Sequence, residues 1–474
     1  MGTRKLFAAS IASALSFWAC SQTVSSSSSD EFSWDYPYKQ FFPEMGDIDD
    51  ELEKEMYFNY TMLDLVYIYS HARGELADSY RVYLGKGSQK DDNEKNFCTK
   101  AFYDVCYMFN QMKDPFTQYF DPYVAQMVYS SVMETDNSIG IGAEAEFDST
   151  RMALVVSQVY PGAPSEKAGL KVGDIVLEID GLHITSKDNF ETMCSGNIGS
   201  VINVVVQRGL ETIPIAITLE EFKEPSVITY YKDSIPVIQI KQFATTTPSD
   251  QGTYGEFVAA LQKTEGAKST IIDLRGNPGG ETQQCNAISA EFLSLGDTII
   301  SDIETNVDSI RDGDGWKYFQ VFDTTTYTAS RDGLGKDRYY VLLADTSTAS
   351  CAEVVLSSVT VNKKAPVVGQ LSYGKAIGQG VIDTYAKGLA LITAIQGYDR
   401  NWETYHDVGI VPDYQIDDPN AQMKKAVELA KQATELRTAG YGTTRLNHFS
   451  KVPAKNSERK IPTRKDLKLR FKLL

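Results

Sequence analysis

The spacing of apolar and polar positions predicts helices in the first part of the chain. Between residues 49 and 112, apolar side chains recur every three or four positions, as on the buried face of an amphipathic helix. One stripe consists of Leu52, Met56, Tyr60, Leu63 and Tyr67, and the other of Phe97, Ala101, Val105, Phe109 and Met112. We therefore expect a helical region ahead of the remainder of the chain.

Further along, a short apolar run is followed by a turn and then by helical spacing. Residues 339–344 are apolar and rich in β-forming side chains, which predicts a buried parallel strand. Helical spacing begins directly after Ser350, so this serine lies where a strand turns into a helix. The free N–H groups at such a point favour a tetrahedral oxyanion, which suits a nucleophile. An N-cap serine prefers the same place, so position alone leaves both interpretations open.

A second stretch of this kind begins at residue 270. It predicts a buried strand, a glycine-rich turn and a helix from about Thr282. Gly279 and Gly280 let the backbone approach a ligand closely and point N–H groups into a site. A tight turn between a strand and a helix needs the same glycines.

The length and the net charge of the chain limit the kinds of protein that it can be. A chain of 474 residues indicates two or three domains, and 42% hydrophobic residues are ordinary for a globular protein. The formal net charge of −17 favours solubility and argues against nucleic acid as a partner.

The N-terminus predicts export. Arg4 and Lys5 precede the apolar run 6–19, which is too short to span a bilayer but suits a signal peptide. Cys20 and a serine-rich linker follow, and this arrangement resembles a bacterial lipoprotein signal in which Cys20 is lipidated and tethers the protein to a membrane. Plain signal cleavage nearby is the alternative.

The remaining cysteines show no zinc-binding spacing. They are Cys98, Cys106, Cys194, Cys285 and Cys351. Cys98 and Cys106 lie about two turns apart on one predicted helix, which is too far for a disulfide bond. We expect most of these residues to be buried thiols. Because Cys351 is next to Ser350, a thiol nucleophile is a second possibility.

A serine nucleophile needs a base, and Lys375 is the best candidate. A lysine base must be neutral when it acts, so burial has to lower its pKa from about 10.4 to roughly 7 or 8. The residues around Lys375 bring no counter-charge, and Gln379 returns to the same side to accept a hydrogen bond from its amine. Among the four histidines, His406 is the alternative base.

The motif Ser350-Cys351-Ala352-Glu353, together with Lys375 and Gln379, resembles the carboxyl-terminal processing proteases, the tail-specific family of serine peptidases. The intervals of 25 residues from serine to lysine and of 4 from lysine to glutamine are those of the family. The resemblance implies Ser350 as nucleophile, Lys375 as general base and Gln379 as its orienting partner.

The glycine-rich turn carries the same resemblance, because residues 273–280 are similar to the family's D-L-R-x-N-P-G-G loop. This implies an oxyanion hole with one donor from Gly279 or Gly280 and a second from the N–H of Cys351. Two departures are present: Val361 stands where many relatives have an aspartate, and residues 376–378 differ from the common Gly-Thr-Val.

Residues 138–219 resemble a PDZ domain. Gly140, Ile141 and Gly142 would form its carboxylate-binding loop, which caps a peptide C-terminus while the peptide adds as a strand. Arg208 lies on the last strands and could pair with a carboxylate, or be a solvated hairpin charge. The segment 114–122 resembles the D-P-[HY]-T-x-[YF] motif that precedes this domain in the family, and the sequence assigns it no chemistry.

Together these features predict a multidomain α/β (α+β) fold with an inserted PDZ domain, and the resemblance implies a ClpP/crotonase-like protease core. The expected divisions are a signal peptide at 1–20, a linker at 21–48, a helical region at 49–135, a PDZ domain at 136–222, the core with a C-terminal helix at 223–440 and a basic tail at 441–474. The tail is either solvated charge or a contact for an anionic membrane or envelope polymer.

The sequence thus predicts an envelope serine endopeptidase that binds exposed protein C-termini and cuts by acyl-enzyme chemistry. No metal or cofactor is needed, and a homo-oligomer is compatible with this interpretation. Two alternatives remain: a PDZ-bearing adaptor on an inactive protease scaffold, and a Ser-His hydrolase that uses His406. A pseudoenzyme has no physical need for both Ser350 and Lys375, so their presence favours catalysis.

Overall fold

The computed structural model describes residues 42–66, 80–89, 98–112, 114–148, 151–184, 186, 190, 192–312 and 315–438. Cys20, most of the linker and the basic tail lie outside these residues, so their predicted roles are not addressed by the structure. Within the described ranges, no helix has both the length and the apolar character required to cross a bilayer.

The α-helices are α1 (Glu51–Leu65), α2 (Tyr103–Asn110), α3 (Pro122–Met133), α4 (Pro164–Lys167), α5 (Gly252–Lys263), α6 (Thr282–Phe292), α7 (Cys351–Lys363) and α8 (Pro419–Thr438). The strands are β1 (Gln118–Phe120), β2 (Asn137–Gly140), β3 (Ala143–Asp148), β4 (Ala153–Val159), β5 (Ile175–Ile179), β6 (Leu182–His183), β7 (Val201–Arg208), β8 (Glu211–Thr218), β9 (Glu220–Lys223), β10 (Val227–Lys232), β11 (Ile235–Ile240), β12 (Ser269–Asp273), β13 (Thr298–Asp312), β14 (Gly315–Thr328), β15 (Tyr339–Ala344), β16 (Val367–Gly369), β17 (Ile377–Asp383), β18 (Leu389–Tyr398) and β19 (Tyr414–Gln415). Short 3-10 turns occupy Pro43–Asp47, Tyr80–Tyr83, Gly87–Gln89 and Lys100–Phe102.

The N-terminal helices pack as the apolar stripes predict. Met56 and Leu63 of α1 and Val105 and Phe109 of α2 are buried in one cluster, which extends onto β18 through Ile392. This packing joins the helical region to the sheet that carries β17 and β18.

The prediction that Cys98 and Cys106 are too far apart to bond is wrong. The helix begins only at Tyr103, and Cys98 precedes a 3-10 turn rather than lying on the helix. The chain therefore folds back, the Cα atoms lie 6.7 Å apart, and the two residues form a disulfide bond.

The PDZ domain is an antiparallel sheet with strand order β3-β4-β5-β7-β8. Alternate residues of β7 point into its core, where Val204 and Val206 are fully buried. Helix α4 begins at Pro164 as predicted, and Gly169 follows it with a positive φ of 88°. The domain contacts the core where Tyr160 and Ala163 pack on Ile228 of β10.

The core is a six-stranded sheet with order β10-β11-β12-β15-β16-β19, parallel except for β10. The predicted strand at 339–344 is β15, and it is buried on both faces. Tyr340 and Leu342 face α5, α6 and α7, whereas Val341 and Leu343 face α8. The mixed α/β fold expected from the sequence is confirmed.

This topology decides where the two predicted motifs meet. β12 and β15 are neighbouring parallel strands, so their carboxyl ends lie at one edge of the sheet. The glycine-rich turn leaves β12 and Ser350 follows β15 at that edge. A second sheet, in which β17 pairs with β18, supplies Gln379.

Candidate active site

Ser350 occupies a strained turn between β15 and α7. Its φ of 53° is uncommon for a residue with a Cβ, and strain of this kind costs about 1–3 kcal/mol. Its N–H donates to Glu353 Oε2 at 3.0 Å, and its carbonyl oxygen accepts from the N–H of Glu353 and of Val354. The serine is partly exposed at the first turn of α7, as a nucleophile requires.

Lys375 presents its amine to an enclosed pocket. Although the side chain keeps some exposed surface, burial of the amine lowers the pKa of Lys375 to about 8, against the opposing charges of Asp114 and Glu353. Nζ donates to Gln379 Oε1 at 2.8 Å, and Gln379 Nε2 donates to Thr393 Oγ1 at 3.2 Å. The structure therefore brings the predicted base and its predicted partner into contact.

Glu353 joins the serine segment to the lysine segment. Its fully buried carboxylate accepts hydrogen bonds from the N–H groups of Gly374 at 2.6 Å and Lys375 at 2.7 Å, and from Ser372 Oγ at 2.6 Å. The N–H of Ser350 donates to the same oxygen, Oε2, as the N–H of Lys375. Burial raises the pKa of Glu353 and these hydrogen bonds oppose that rise.

The sequence assigned no role to Glu353, which appeared only as a letter of the serine motif. The signal was present, because a glutamate three residues after a serine at the start of a helix forms a capping box. What the sequence does not show is that the same carboxylate also holds the backbone that leads to Lys375.

The glycine-rich turn lies directly against the nucleophile. Gly279 has a φ of 107°, and a Cβ placed there would lie 2.7 Å from Ser350 Cβ. Its N–H donates to Asn277 Oδ1 at 2.9 Å. Among the described residues, no acceptor is found for the N–H groups of Gly280 and Cys351. Of the two predicted glycine donors, Gly279 is therefore already engaged, whereas Gly280 has no acceptor among the described residues.

The expectation that Cys285 and Cys351 are buried thiols is wrong. Their Cα atoms lie 5.6 Å apart and the residues form a disulfide bond, whereas Cys194 is a buried free thiol as expected. The bond joins the first turn of α6, which follows the glycine-rich turn, to the first turn of α7. A sulfur engaged in this bond cannot act as a nucleophile, which argues against the thiol mechanism.

His406 lies in the loop beside the lysine segment. The neighbouring Asp407 donates its N–H to the carbonyl oxygen of Gly374 at 2.9 Å, and His406 Nε2 lies 3.6 Å from Asp407 Oδ2. The imidazole of His406 thus lies beside the carboxylate of Asp407. His183 lies on the exposed strand β6, while His71 and His448 fall outside the described residues.

The predicted carboxylate-binding loop is anchored to the start of α4. The carbonyl oxygens of Ile141 and Gly142 accept from the N–H and Oγ of Ser165 at 2.7 and 2.8 Å. Gly142 has a φ of 68° and approaches Ala163 so closely that a Cβ would clash. Gly140 ends β2, opposite Glu220 of β9.

Arg208 contacts a carboxylate that belongs to the protein itself. Nε and Nη2 donate to the two oxygens of Asp174 at 2.7 Å each, and Nη2 also donates to the carbonyl oxygen of Gly169. Asp174 is almost fully buried. This pairing corrects the expectation that Arg208 binds the carboxylate of a peptide, because two nitrogens of its guanidinium already donate to Asp174.

The Arg208–Asp174 pair predicts a stability effect. Replacing Arg208→Met leaves the Asp174 carboxylate buried without its partner, and we expect the PDZ domain to lose clearly more stability than it would from the loss of an exposed ion pair. Arg151→Met, which removes an exposed ion pair with Asp148, should cost less than about 1 kcal/mol. Urea unfolding at pH 7 measures both, and equal midpoints for the two variants would contradict the assignment.

The same pair has a pH dependence. Burial favours the neutral acid. The hydrogen bonds from Arg208 and from the N–H of Lys171 have the larger combined effect, so the pKa of Asp174 lies below its ordinary value. The stabilisation is therefore complete above the ordinary pKa of an aspartate and is lost as the pH falls through the lower folded-state value. The deficit of Arg208→Met should shrink in that acid range.

The disulfide bonds predict a thiol count. A form that lacks residues 1–22 contains five cysteines, and with both bonds formed only Cys194 has a free thiol. Thiol titration of the unreduced, denatured protein should give one thiol per chain, and five after reduction. A count of three or five before reduction would show that one or both pairs are not bonded.

Comparison with known proteins agrees with this geometry. Residues 234–416 match the model of peptidase family S41, and residues 155–208 match that of a PDZ domain. A protein of Staphylococcus aureus described as a probable CtpA-like serine protease is 26% identical over 363 residues, which cover 75% of this chain and 67% of that protein. One of Staphylococcus haemolyticus with the same description is 26% identical over 321 residues, covering 66% of this chain and 60% of that protein.

Among solved structures, the photosystem II D1 C-terminal processing protease is similar over 78% of this chain and 94% of its own length, with 18% identity and a TM-score of 0.43. The assignment to a family rests on the family models and the curated relatives. The two models together match residues between 155 and 416, and this range contains Ser350, Lys375 and the glycine-rich turn. The chain therefore carries a serine-type peptidase domain that matches family S41 at residues 234–416, together with a PDZ domain at residues 155–208.

Proposed function

We propose that this peptidase is an endopeptidase of the bacterial cell envelope that cuts proteins with a Ser350–Lys375 dyad. The observation that carries the proposal is the shared carboxylate oxygen of Glu353, which holds the backbone N–H groups of both residues. The buried amine of Lys375, with its pKa lowered to about 8, supports the role of general base.

In the proposed reaction, Ser350 Oγ attacks the scissile carbonyl carbon and its proton passes to Lys375 Nζ. The carbonyl oxygen becomes an oxyanion, which the N–H groups of Gly280 and Cys351 bind at the positive end of α7. As the intermediate collapses, the C–N bond breaks and the leaving amine takes the proton from Lys375. Water then adds to the acyl-enzyme while Lys375 accepts its proton. As the ester C–O bond breaks, Lys375 returns that proton to Ser350 Oγ, which restores the free serine and the neutral amine.

Gln379 has a positioning role in this proposal. In the structure the hydrogen bond of Nζ goes to Gln379 Oε1, so the first proton transfer requires the amine to come within reach of Ser350 Oγ. Catalytic hydrogen bonds commonly tighten in this way when substrate binds. One remaining bond to Gln379 would keep the amine aimed at the serine during that movement.

The PDZ domain is proposed to take exposed protein C-termini through the loop that contains Gly140, Ile141 and Gly142, with the peptide added as a strand. Arg208 is not part of this site, because Asp174 occupies its guanidinium. We further propose that the signal segment exports the protein, that a lipid on Cys20 tethers it to a membrane, and that the domain divisions are those expected from the sequence. The bacterial origin of the curated relatives supports the envelope location.

The Ser-His mechanism remains the second candidate because His406 lies in the loop that contacts Gly374. A third candidate is a non-catalytic adaptor on the same scaffold. Activity measurements on single variants separate all three.

The dyad predicts which side chains are essential. In a form that lacks residues 1–22, Ser350→Ala and Lys375→Ala should each lower cleavage of an unfolded protein by at least about 1000-fold, since each removes a group that takes part in the bond-forming step. His406→Ala and the exposed control Lys268→Ala should retain activity. Equal proteolysis by Lys375→Ala and the unchanged protein would exclude the dyad. Loss in the serine and histidine variants alone would establish the Ser-His mechanism, and an inactive unchanged protein would favour the adaptor.

The lowered pKa of Lys375 predicts the pH profile. The base acts when neutral, so kcat/KM should rise as the pH increases through about 8 and fall about tenfold per pH unit below that point. Cleavage of a fluorogenic peptide between pH 5 and 10 measures the midpoint. A midpoint near 6.5 would indicate a histidine base, and one above 10 would indicate an ordinary solvated lysine.

A further inference from the structure

The segment from Asp114 to Thr117 reaches the base from outside the peptidase core. It connects α2 to β1, ahead of the PDZ domain in sequence, and it is the part of the chain to which the sequence assigned no chemistry. Asp114 is 2% exposed and Thr117 is fully buried. Two buried polar side chains in a short connection require a structural or a functional reason.

A chain of hydrogen bonds leads from this segment to the lysine amine. Thr117 Oγ1 donates to Asp114 Oδ2 at 2.7 Å, which leaves its oxygen to accept from the N–H of Thr393 at 3.1 Å. Thr393 Oγ1 accepts from Gln379 Nε2, and Gln379 Oε1 accepts from Lys375 Nζ. Thr117 thus holds the backbone of Thr393, and the side chain of Thr393 in turn meets the Gln379 amide that contacts the lysine.

The ring of Phe116 also lies against the amine of Lys375. Lys375 Nζ lies 4.9 Å from the centre of the Phe116 ring, and this ring packs edge-to-face against Tyr373 at 6.2 Å. An aromatic face excludes water from the neutral amine and attracts the ammonium ion once a proton arrives. Asp114 also favours the ammonium form, since it acts together with Glu353 against the effect of burial.

We infer that Asp114, Phe116 and Thr117 form a positioning element for the general base, in which Thr117 anchors Gln379 through Thr393, Asp114 orients Thr117, and Phe116 encloses the lysine amine. None of the three side chains is placed at the reacting atoms. Their effect is to hold Lys375 in one direction while it is neutral and to stabilise the positive charge that it gains in the transition state. This inference rests on the proposed role of Lys375.

Thr117 gives the first test, in the form that lacks residues 1–22. Thr117→Val keeps the shape of the side chain but removes the hydroxyl, so it should lower kcat on the order of 100-fold with little change in KM, because a displaced catalytic group costs about that much. Thr117→Ser restores the hydroxyl and should recover most of the activity. Thr264→Val is the control, because Thr264 is also buried but its hydroxyl bonds to Ala260 and Arg338, neither of which belongs to the hydrogen-bond chain that leads to Lys375.

Asp114 gives the second test, which decides the matter even if Thr117→Val does not fold. Asp114→Asn removes the charge and keeps one of the two acceptor oxygens that now serve the N–H of Phe116 and the hydroxyl of Thr117, leaving Glu353 as the carboxylate that acts on Lys375. The midpoint of the kcat/KM profile should therefore move to lower pH, and kcat at the plateau should fall. Asp121→Asn is the control, since Asp121 is a buried carboxylate at the other end of β1 that caps α3 and does not act on Lys375.

The outcomes separate this inference from the proposed function. If Thr117→Val, compared with Thr264→Val, loses stability but keeps its kcat per folded molecule, or if Asp114→Asn keeps both midpoint and plateau, the positioning role is overturned while the dyad stands. If Lys375→Ala remains active, the proposed function itself fails. Rescue by Thr117→Ser together with the shifted profile of Asp114→Asn supports the positioning element.

Discussion

The active site depends on one buried carboxylate. Glu353 accepts four hydrogen bonds, from the backbone of Ser350, Gly374 and Lys375 and from the hydroxyl of Ser372. An ionised carboxylate has room for about four such donors, so these hydrogen bonds use the full acceptor capacity of Glu353. Because these hydrogen bonds connect α7 to the segment after β16, this carboxylate holds the backbone of Ser350 close to the backbone of Lys375.

The second constraint is the balance of charges around Lys375. Burial removes water from the amine and favours its neutral form, while Asp114 and Glu353 favour the ammonium form. If burial acted alone, the lysine would be a poor proton acceptor; if the carboxylates dominated, it would be permanently charged. The resulting pKa of about 8 lies far enough below the ordinary value of a lysine for part of the amine to be neutral near neutral pH.

The glycine-rich turn is held against Ser350 by different means. Gly279 and Gly280 have φ values that other residues rarely adopt, and they bring the turn against Ser350 without a Cβ to obstruct it. The Cys285–Cys351 bond fastens the helix after this turn to the helix after the serine. A covalent link and a glycine turn thus hold the backbone of residues 279–280 close to the backbone of Ser350 and Cys351.

The sequence by itself predicted the strand at Tyr339–Ala344, the start of α7 after Ser350, the PDZ helix that begins at Pro164 and the family resemblance, because each of these depends on residues close together in the chain. It also placed serine, lysine and glutamine as candidates through their intervals. Only the tertiary structure decided that Glu353 joins two segments, that Arg208 pairs with Asp174 and that four cysteines are bonded. It also decided that, among the described residues, the N–H of Gly279 has an acceptor whereas that of Gly280 has none, and that residues 114–117 lie next to Lys375. These are contacts between positions far apart in sequence, and the direction of a side chain across such a distance depends on how sheets and helices pack, which local spacing does not determine.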